Sequence, residues 1–189
     1  MNKESFRQEA IRVRDNIEVA ADDADSAAAN FLEAIAPQPG QVVALYWPKG
    51  REFDTLPLMH ELLQRGITCA LPVIQKGERL LKFSAYQDGN AMEEGPFKVI
   101  QPKIDEQTIW TDPDIFVVPL LAFDRHGNRM GYGMGHYDAT LKHYRAIKPV
   151  IAVGYAYGQQ AVLFNLPAEP HDEKLDWVVT PQKAQRFKV

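Results

Sequence analysis

The sequence has almost no cysteine, no long apolar run and no excess of positive charge. Its 189 residues include one cysteine, Cys69, which excludes an internal disulfide and a cysteine-based metal cluster. No apolar run approaches the ~18 residues that a membrane helix needs, and the charged start MNKESFRQEA is unlike a secretory signal. The net charge of -4 argues against a general nucleic-acid-binding surface. We therefore expect a cytoplasmic enzyme or binding protein with no nucleic-acid or membrane partner.

The overall composition is that of an ordinary globular protein. Hydrophobic residues make up 46% of the chain and charged residues 24%. The length suits one domain with a proper core, and we predict a single domain over residues 1–189. Cys69 stands in the apolar stretch GITCALPVI, which predicts a buried, unreactive thiol.

The first part of the chain predicts two helices. Residues 3 to about 19 place Phe6, Val13 and Ile17 near helical spacing. The opposite face carries four basic residues, Lys3, Arg7, Arg12 and Arg14, and periodicity alone favours a solvated face. DSAAANFLEAIA predicts a second helix that starts at an aspartate cap, Asp25, and ends before PQPGQ.

The remainder alternates strands and helices. VVALYW predicts a buried strand, FDTLPLMHELLQRG a helix that stops at Gly66, and ITCALPVI the next strand. Further along, PDIFVVPLLAF, PVIAVGYAY and DWVVT predict strands, HYDATLKHYRAI predicts a helix, and residues 84–102 mix short strands with turns. This order predicts an open, mainly parallel α/β sheet flanked by helices, with an N-terminal helical arm.

The loop RMGYGMGHYD combines flexibility with charge. Gly131, Gly133 and Gly135 lie between Arg129 and Asp138, between a strand and a helix. Glycines let an anion approach the backbone of a helix N-terminus, arginine can bind phosphate in a bidentate manner, and aspartate can hold magnesium. The loop matches neither the Walker pattern nor GxGxxG. On spacing alone, a phosphate site and a tight turn with an aspartate-capped helix are equally open.

The longer stretch VVPLLAFDRHGNRMGYGMGHYDATL resembles the signature of the 5-formyltetrahydrofolate cyclo-ligase family, also called methenyltetrahydrofolate synthetase. NKESFR resembles the family's basic K-x-x-x-R opening, and YWPKGREFDT resembles its strand followed by E-x-D/E-T. ITCALPVI and the C-terminal block VGYAYGQQAVLFNLPAEPHDEKLDWVVT follow in the family's order. The similarity therefore spans nearly the whole chain.

The resemblance implies a fold and a reaction. The fold would be the open α/β type shared with sugar-phosphate isomerases and coenzyme-A transferases. The reaction would convert 5-formyltetrahydrofolate and ATP to 5,10-methenyltetrahydrofolate, ADP and phosphate, with Mg²⁺. The formyl oxygen is phosphorylated first, and N10 of the folate then closes the ring. Catalysis would come mainly from positioning and from stabilising charge on the transferred phosphoryl group. The partners implied are the folate and ATP, and we expect a monomer or weak dimer.

The resemblance also implies site residues. ATP would contact Lys3, Arg7, Arg129, Gly131, Gly133, Met134, Gly135, His136 and Tyr137. The folate would contact Trp47, Glu52, Tyr132 and His136. Asp138 and Asp172 would hold magnesium, and Arg129 and Asp138 would act in catalysis. Arg12 and Arg14 keep the solvated-face interpretation, and Asp176 is the weaker metal candidate.

The chain departs from the family pattern at three positions. His136 replaces the usual tyrosine, Met134 stands where glycine or lysine is common, and Gln101, to which we assign no role, replaces a frequent glutamate. The remaining histidines, His60, His126, His143 and His171, have no metal-ligand spacing and are interpreted as structural or surface residues. Two alternatives stay open: a sugar-phosphate or coenzyme-A enzyme of the same fold, and a non-catalytic folate-binding protein.

Overall fold

A computed structural model describes residues 2–188 of the chain, with a seven-stranded sheet at its centre. The helices are α1 (Lys3–Asp15), α2 (Asp23–Ala34), α3 (Leu56–Gln64) and α4 (His136–Ile147). The strands are β1 (Val42–Ala44), β2 (Thr68–Val73), β3 (Lys82–Tyr86), β4 (Met92–Glu94), β5 (Ile100–Pro102), β6 (Ile115–Val118), β7 (Ala122–Phe123), β8 (Arg129–Met130), β9 (Ile151–Tyr155), β10 (Trp177–Val179) and β11 (Ala184–Arg186). Short 3₁₀ turns lie at Pro96–Lys98 and Gly158–Gln160.

The predicted mainly parallel sheet is confirmed. The strand order is β11-β10-β9-β6-β1-β2-β3, with parallel pairing from β10 through to β2 and antiparallel strands at the two edges. The central strands are apolar on both faces because helices cover both. Ile115 and Val117 of β6 pack into the cluster that contains Phe31 of α2, whereas Phe116 and Val118 pack on the side of Leu141 of α4.

The sheet has a point at which its winding reverses. From β1 the chain proceeds outward to β2 and β3, and from the adjacent β6 it proceeds in the opposite direction to β9 and β10. The connections after β1 and β6 therefore diverge and leave a crevice beyond the carboxyl ends of these strands, where open α/β sheets bind ligands. Residues 45–55 and the loop before α4 border this crevice.

Several predicted elements are confirmed and others needed correction. The structure places α4 at the predicted bounds, His136–Ile147. The first helix ends at Asp15 rather than near residue 19, and α2 begins at Asp23, so Asp25 lies inside its first turn and is not the cap. The Asp23 carboxylate already closes the preceding turn by accepting from the Ala20 N–H at 2.9 Å.

The predicted strand over residues 113–123 is in fact two strands. It divides into β6 and β7 around Pro119, because proline has no N–H to donate to a ladder. The chain then forms the β7–β8 hairpin that leads into the glycine loop. The last strand, β11, had no clear signal in the sequence and was not predicted.

Cys69 and Gln101 have structural roles. Cys69 is fully buried, as predicted, and burial raises the pKa of its thiol to about 12. Gln101 is also buried, and its side-chain oxygen accepts a hydrogen bond from the Ile74 N–H at 3.0 Å.

Among the residues described, no helix combines the length and apolar character needed to cross a membrane.

Candidate functional site

All the residues predicted to contact ATP, folate or magnesium line one cleft of about 550 Å³. The cleft is lined by the whole loop from Arg129 to Asp138, together with Lys3, Arg7, Trp47, Glu52 and Asp172. It lies in the crevice beyond β1 and β6. Residues that are far apart in the sequence thus meet where the fold itself favours ligand binding.

The glycine loop needs its glycines at two positions. Gly133 and Gly135 have φ values of 93° and 72°, in the left-handed region that other residues rarely adopt. A Cβ on Gly133 would lie 3.0 Å from Cζ of Arg7. Gly135 immediately precedes α4, whose first N–H groups lack partners within the helix and favour anions.

The N-terminal half of α1 lies against this loop. Arg7 Nε donates to the carbonyl of Gly131 at 3.0 Å. Lys3 Nζ donates to Glu169 Oε2 at 2.7 Å and to Asp172 Oδ2 at 2.8 Å. Burial alone would lower the pKa of Lys3, but the hydrogen bonds to these two carboxylates outweigh it and raise the pKa. The helix thus brings two cations to the glycine loop.

Arg129 and Asp138 form an ion pair. Nη2 of Arg129 lies 2.9 Å from Oδ1 of Asp138, and the arginine also donates to the Glu173 carbonyl. The same Oδ1 accepts from the Glu173 N–H at 2.9 Å. The Arg129 side chain is only 6% exposed. Both groups are therefore held in defined positions.

Asp172 lies in a second cluster of polar side chains, together with Glu169 and His171. Burial alone would raise the pKa of Asp172, but hydrogen bonds from Lys3 and from the Glu169 N–H lower it. One ligand atom each from Glu169, His171 and Asp172 lie within 4.8 Å of one another, close enough to share a cation. Glu169 was not predicted from the sequence to belong to the site, and His171 was predicted to be a structural or surface residue. The imidazole is indeed exposed, but it borders the cleft.

Glu52 also lines the cleft. Its Oε2 accepts from the Lys49 N–H at 2.8 Å. Burial raises the pKa of Glu52, and the hydrogen bond from the Lys49 N–H, the nearby Tyr132 hydroxyl and the charge of Arg14 oppose the shift. Trp47 is partly buried and packs edge-to-face on Tyr86, with ring centroids 6.2 Å apart. A carboxylate and a flat ring therefore border the same space.

His136 presents one ring nitrogen with no partner. Its Nδ1 lies 3.0 Å from the carbonyl of Arg79, which requires the proton on Nδ1 when the ring is neutral. The buried Nε2 then becomes an acceptor, and nothing in the described part of the chain bonds to it. The Phe97 ring lies 6.0 Å from the imidazole, centroid to centroid.

One functional candidate was misjudged from the sequence. Arg14 was assigned to the solvated face of α1 with Arg12, but it is only 8% exposed and borders the cleft. Arg12 is exposed as predicted. The signal was available, because Arg14 follows Arg7 by seven residues, about two helical turns, and so lies on the same face as Arg7.

The comparisons with known proteins show which family the chain belongs to. Residues 1–181 match the 5-formyltetrahydrofolate cyclo-ligase family. The chain is 37% identical over 150 residues to the 5-formyltetrahydrofolate cyclo-ligase of Mycolicibacterium smegmatis, covering 76% of this chain and 75% of the relative. For the Haemophilus influenzae cyclo-ligase the identity is 32% over 178 residues, covering 92% and 94%.

The solved structures give the same result for the fold. The NMR structure of Aquifex aeolicus 5,10-methenyltetrahydrofolate synthetase matches with a TM-score of 0.81 and 26% identity, covering all of this chain and 94% of that one. The fold class, the family resemblance and the enzyme class predicted from the sequence are thereby confirmed. The family match extends over the residues that form the cleft, from Lys3 to Asp172. This chain belongs to the 5-formyltetrahydrofolate cyclo-ligase family.

Proposed function

We propose that this protein uses ATP and Mg²⁺ to convert 5-formyltetrahydrofolate to 5,10-methenyltetrahydrofolate, with release of ADP and phosphate. The observation that carries the proposal is the convergence of every ATP, folate and metal residue implied by the family on one cleft. We divide the residues that line it by the ligand that each is proposed to contact. We call Lys3, Arg7, Arg129, Asp138 and Asp172 the phosphate half, and Trp47, Glu52, Tyr132 and His136 the folate half.

The phosphate half suits a triphosphate. The open N–H groups at the start of α4 and the glycine backbone offer hydrogen-bond donors. Lys3, Arg7 and Arg129 add positive charge from two directions, since two of them lie on α1 and the third on β8. In this proposal Arg129 contacts the transferred phosphoryl group and stabilises its developing charge.

The donor set of the phosphate half fits magnesium. Asp138 and Asp172 supply carboxylate oxygens, the ligand type that this cation prefers alongside substrate phosphates. In each carboxylate one oxygen carries the hydrogen bonds described above and the other bonds to no donor among residues 2–188. Bound there with ATP, Mg²⁺ would neutralise charge on the phosphate oxygens.

The folate half suits a reduced pterin. The Glu52 carboxylate can accept hydrogen bonds from the amino and ring N–H groups of the pterin. Trp47 and Tyr132 offer flat surfaces for stacking. His136 lines the same cleft, and its Nε2 is an acceptor with no partner among the described residues. In this proposal the formyl group therefore faces the terminal phosphate of ATP.

The reaction proceeds in two steps that need no covalent enzyme intermediate. The formyl oxygen attacks the γ-phosphorus, a new O–P bond forms, and the bond to ADP breaks. N10 then attacks the activated carbon and loses its proton, and the C–O bond breaks to release phosphate. Holding both substrates in line supplies much of the rate.

The direct test is an assay of the purified protein with 5-formyltetrahydrofolate and Mg-ATP. We expect formation of the methenyl chromophore together with one ADP per product. Folate binding without ADP release would instead support a non-catalytic binding protein. Absence of both product and folate binding, in folded protein, would favour a sugar-phosphate or coenzyme-A enzyme and overturn the proposal.

A further inference from the structure

Arg14 is a nearly buried cation that the proposed reaction does not yet use. It lies near the end of α1 and is 8% exposed. Its guanidinium donates to the hydroxyl of Tyr132 and to Oδ1 of Asp15, the latter at 2.9 Å from Nη2. Tyr132 and Glu52 line the same cleft and lie close enough for each to shift the pKa of the other. These contacts connect α1, the glycine loop and the loop after β1.

Resting on the proposed function, we infer that Arg14 is a positioning residue for the folate: it orients the Tyr132 hydroxyl and, through it, the Glu52 carboxylate that receives the pterin. Arg14 acts through these two groups and need not touch the substrate. A selective effect on folate, without an effect on ATP, distinguishes this role from that of the other basic residues of α1.

The direction of the hydrogen bonds supports this role. A guanidinium has only donors, so the Tyr132 oxygen must accept from Arg14. The single hydroxyl proton of Tyr132 is then directed away from Arg14 and is available to Glu52. Without Arg14, the hydroxyl could rotate and accept from another donor, which would leave the carboxylate less well oriented.

The charge of Arg14 also matters for Glu52. Burial disfavours the ionised carboxylate, and the positive charges of Arg14 and Lys49 oppose this effect. The Lys49 ammonium is itself engaged with the carbonyl of Phe97. An ionised Glu52 accepts hydrogen bonds from a pterin with both oxygens, whereas a protonated one loses part of that capacity. Arg14 thus favours the state that binds folate.

The position of Arg14 on α1 separates it from the phosphate half. Seven residues of helix correspond to about 10 Å, so Arg7 contacts the loop at Gly131 whereas Arg14 contacts it at Tyr132. The end of α1 is fixed further by Arg51, which donates to the Ile17 carbonyl at 2.6 Å. One helix therefore contacts both halves of the cleft, with different residues.

The test compares Arg14→Gln with Arg12→Gln, its matched control on the same helix. Arg12 is exposed and pairs only with Glu9 in the described structure. We expect Arg14→Gln to raise the KM for 5-formyltetrahydrofolate about tenfold while the KM for ATP changes less than about twofold. Arg12→Gln should leave both unchanged. Arg14→Lys should recover part of the loss, because it keeps the charge but lacks the planar fork.

Tyr132→Phe provides a second, milder test, since it removes only the hydroxyl. We expect it to raise the KM for folate as well, and the double variant with Arg14→Gln should be no worse than the more impaired single variant. Additive effects would show that Arg14 does not act through Tyr132. Thermal unfolding and ATP binding by calorimetry verify that each variant is folded; if Arg14→Gln is not, Arg14→Lys and Tyr132→Phe carry the test.

Besides additivity of the two substitutions, two outcomes overturn the inference: equal increases in the KM for folate and ATP, or no change in either. Both are distinct from failure of the proposed function, because they require a wild-type protein that forms the methenyl product. If the wild-type protein forms none, the proposed function fails before the variants are compared. In that case direct binding of 5-formyltetrahydrofolate to wild type and Arg14→Gln still decides whether Arg14 supports folate binding.

Discussion

The phosphate half and the folate half of the cleft both contain charged side chains, but these side chains have different kinds of hydrogen-bond partner. In the phosphate half, cations already bond to carboxylates: Lys3 to Asp172 and Glu169, and Arg129 to Asp138. In the folate half, Glu52 accepts from a neutral donor, the Lys49 N–H, and the nearby cation Arg14 bonds to Tyr132. The charged side chains of the phosphate half must therefore leave their present partners to bind a ligand. The acceptor of the folate half, Glu52, is already held in place.

This difference follows from the chemistry of the two ligands. Mg-ATP brings both charges, so the cations of the protein can move to phosphate while its carboxylates move to the metal. A pterin is largely neutral and offers N–H donors, so its receptor needs an acceptor that is fixed beforehand. We therefore expect substitutions in the phosphate half to disrupt turnover and those in the folate half to act mainly on binding.

The largest effect is expected for Asp138→Asn. Asparagine retains an oxygen that can accept from Arg129 and Glu173, but it removes the charge that magnesium needs. We expect turnover to fall by about 100-fold or more, with folate binding largely unchanged. Steady-state formation of the methenyl product and calorimetric folate binding measure the two. The exposed Asp88→Asn is the control. Persistent turnover in Asp138→Asn would show that the metal assignment is wrong.

Lys3→Met should have a smaller effect, and it should change the affinities for ATP and for Mg²⁺ in opposite directions. Loss of the ammonium should weaken ATP binding about tenfold, since a charge-assisted contact is removed. The same change frees Glu169 and Asp172, so Mg²⁺ alone should bind the ATP-free protein more tightly. Calorimetry with ATP alone and with Mg²⁺ alone measures the two directions, and the exposed Lys76→Met serves as control. If Mg²⁺ affinity stays unchanged, Lys3 and the metal do not compete for these carboxylates.

Gly133→Ala tests whether the loop needs close approach as well as a left-handed backbone. Gly89, on a surface turn, provides a matched control, since its φ is 89° and nothing lies within 4 Å of a Cβ placed there. Both variants should lose about 1 kcal/mol of stability through backbone strain. Only Gly133→Ala should displace Arg7 and weaken ATP binding, by a few-fold. Equal ATP binding in the two variants would show that the contact with Arg7 is unimportant.

The sequence predicted the helices and strands better than it predicted which charged side chains pair with one another. The strands and α4 follow from apolar runs and from a strand–loop–helix pattern, both of which are local. The family motif further supplied the residues that line the cleft. The early start of α2 depends on a single turn contact, from the Ala20 N–H to Asp23, and the break between β6 and β7 depends on one proline, Pro119, so these boundaries were predicted wrongly.

The charge pairing could not be predicted because it depends on tertiary contacts. Nothing near Lys3 in the sequence indicates Asp172, 169 residues away. The seven-residue spacing places Arg14 on the same helix face as Arg7, but it does not show that Arg14 is buried against Tyr132. Periodicity distinguishes polar from apolar faces, but it does not show which polar face covers a cleft. The burial of Arg14 depends on α1 lying across the glycine loop, which only the fold reveals.

The smallest predicted effect concerns the folate half and has a defined pH dependence. Burial raises the pKa of Glu52 above its ordinary value of 4.5, so the folded state binds this proton more tightly than the unfolded state does. Stability should therefore fall as the pH rises through the pKa of the folded state. Glu52→Gln removes this cost, while its side-chain oxygen can still accept from the Lys49 N–H.

We expect Glu52→Gln to be more stable than the wild type at neutral pH, by about 1 kcal/mol or less. The difference should disappear as the pH falls well below 4.5, because Glu52 is then protonated in both the folded and the unfolded wild-type protein. Urea unfolding at a series of pH values measures this, with the exposed Glu78→Gln as control. A variant that gains stability but binds folate weakly would show that Glu52 is retained for binding. A difference that does not vary with pH would mean that the Glu52 charge is not what costs stability.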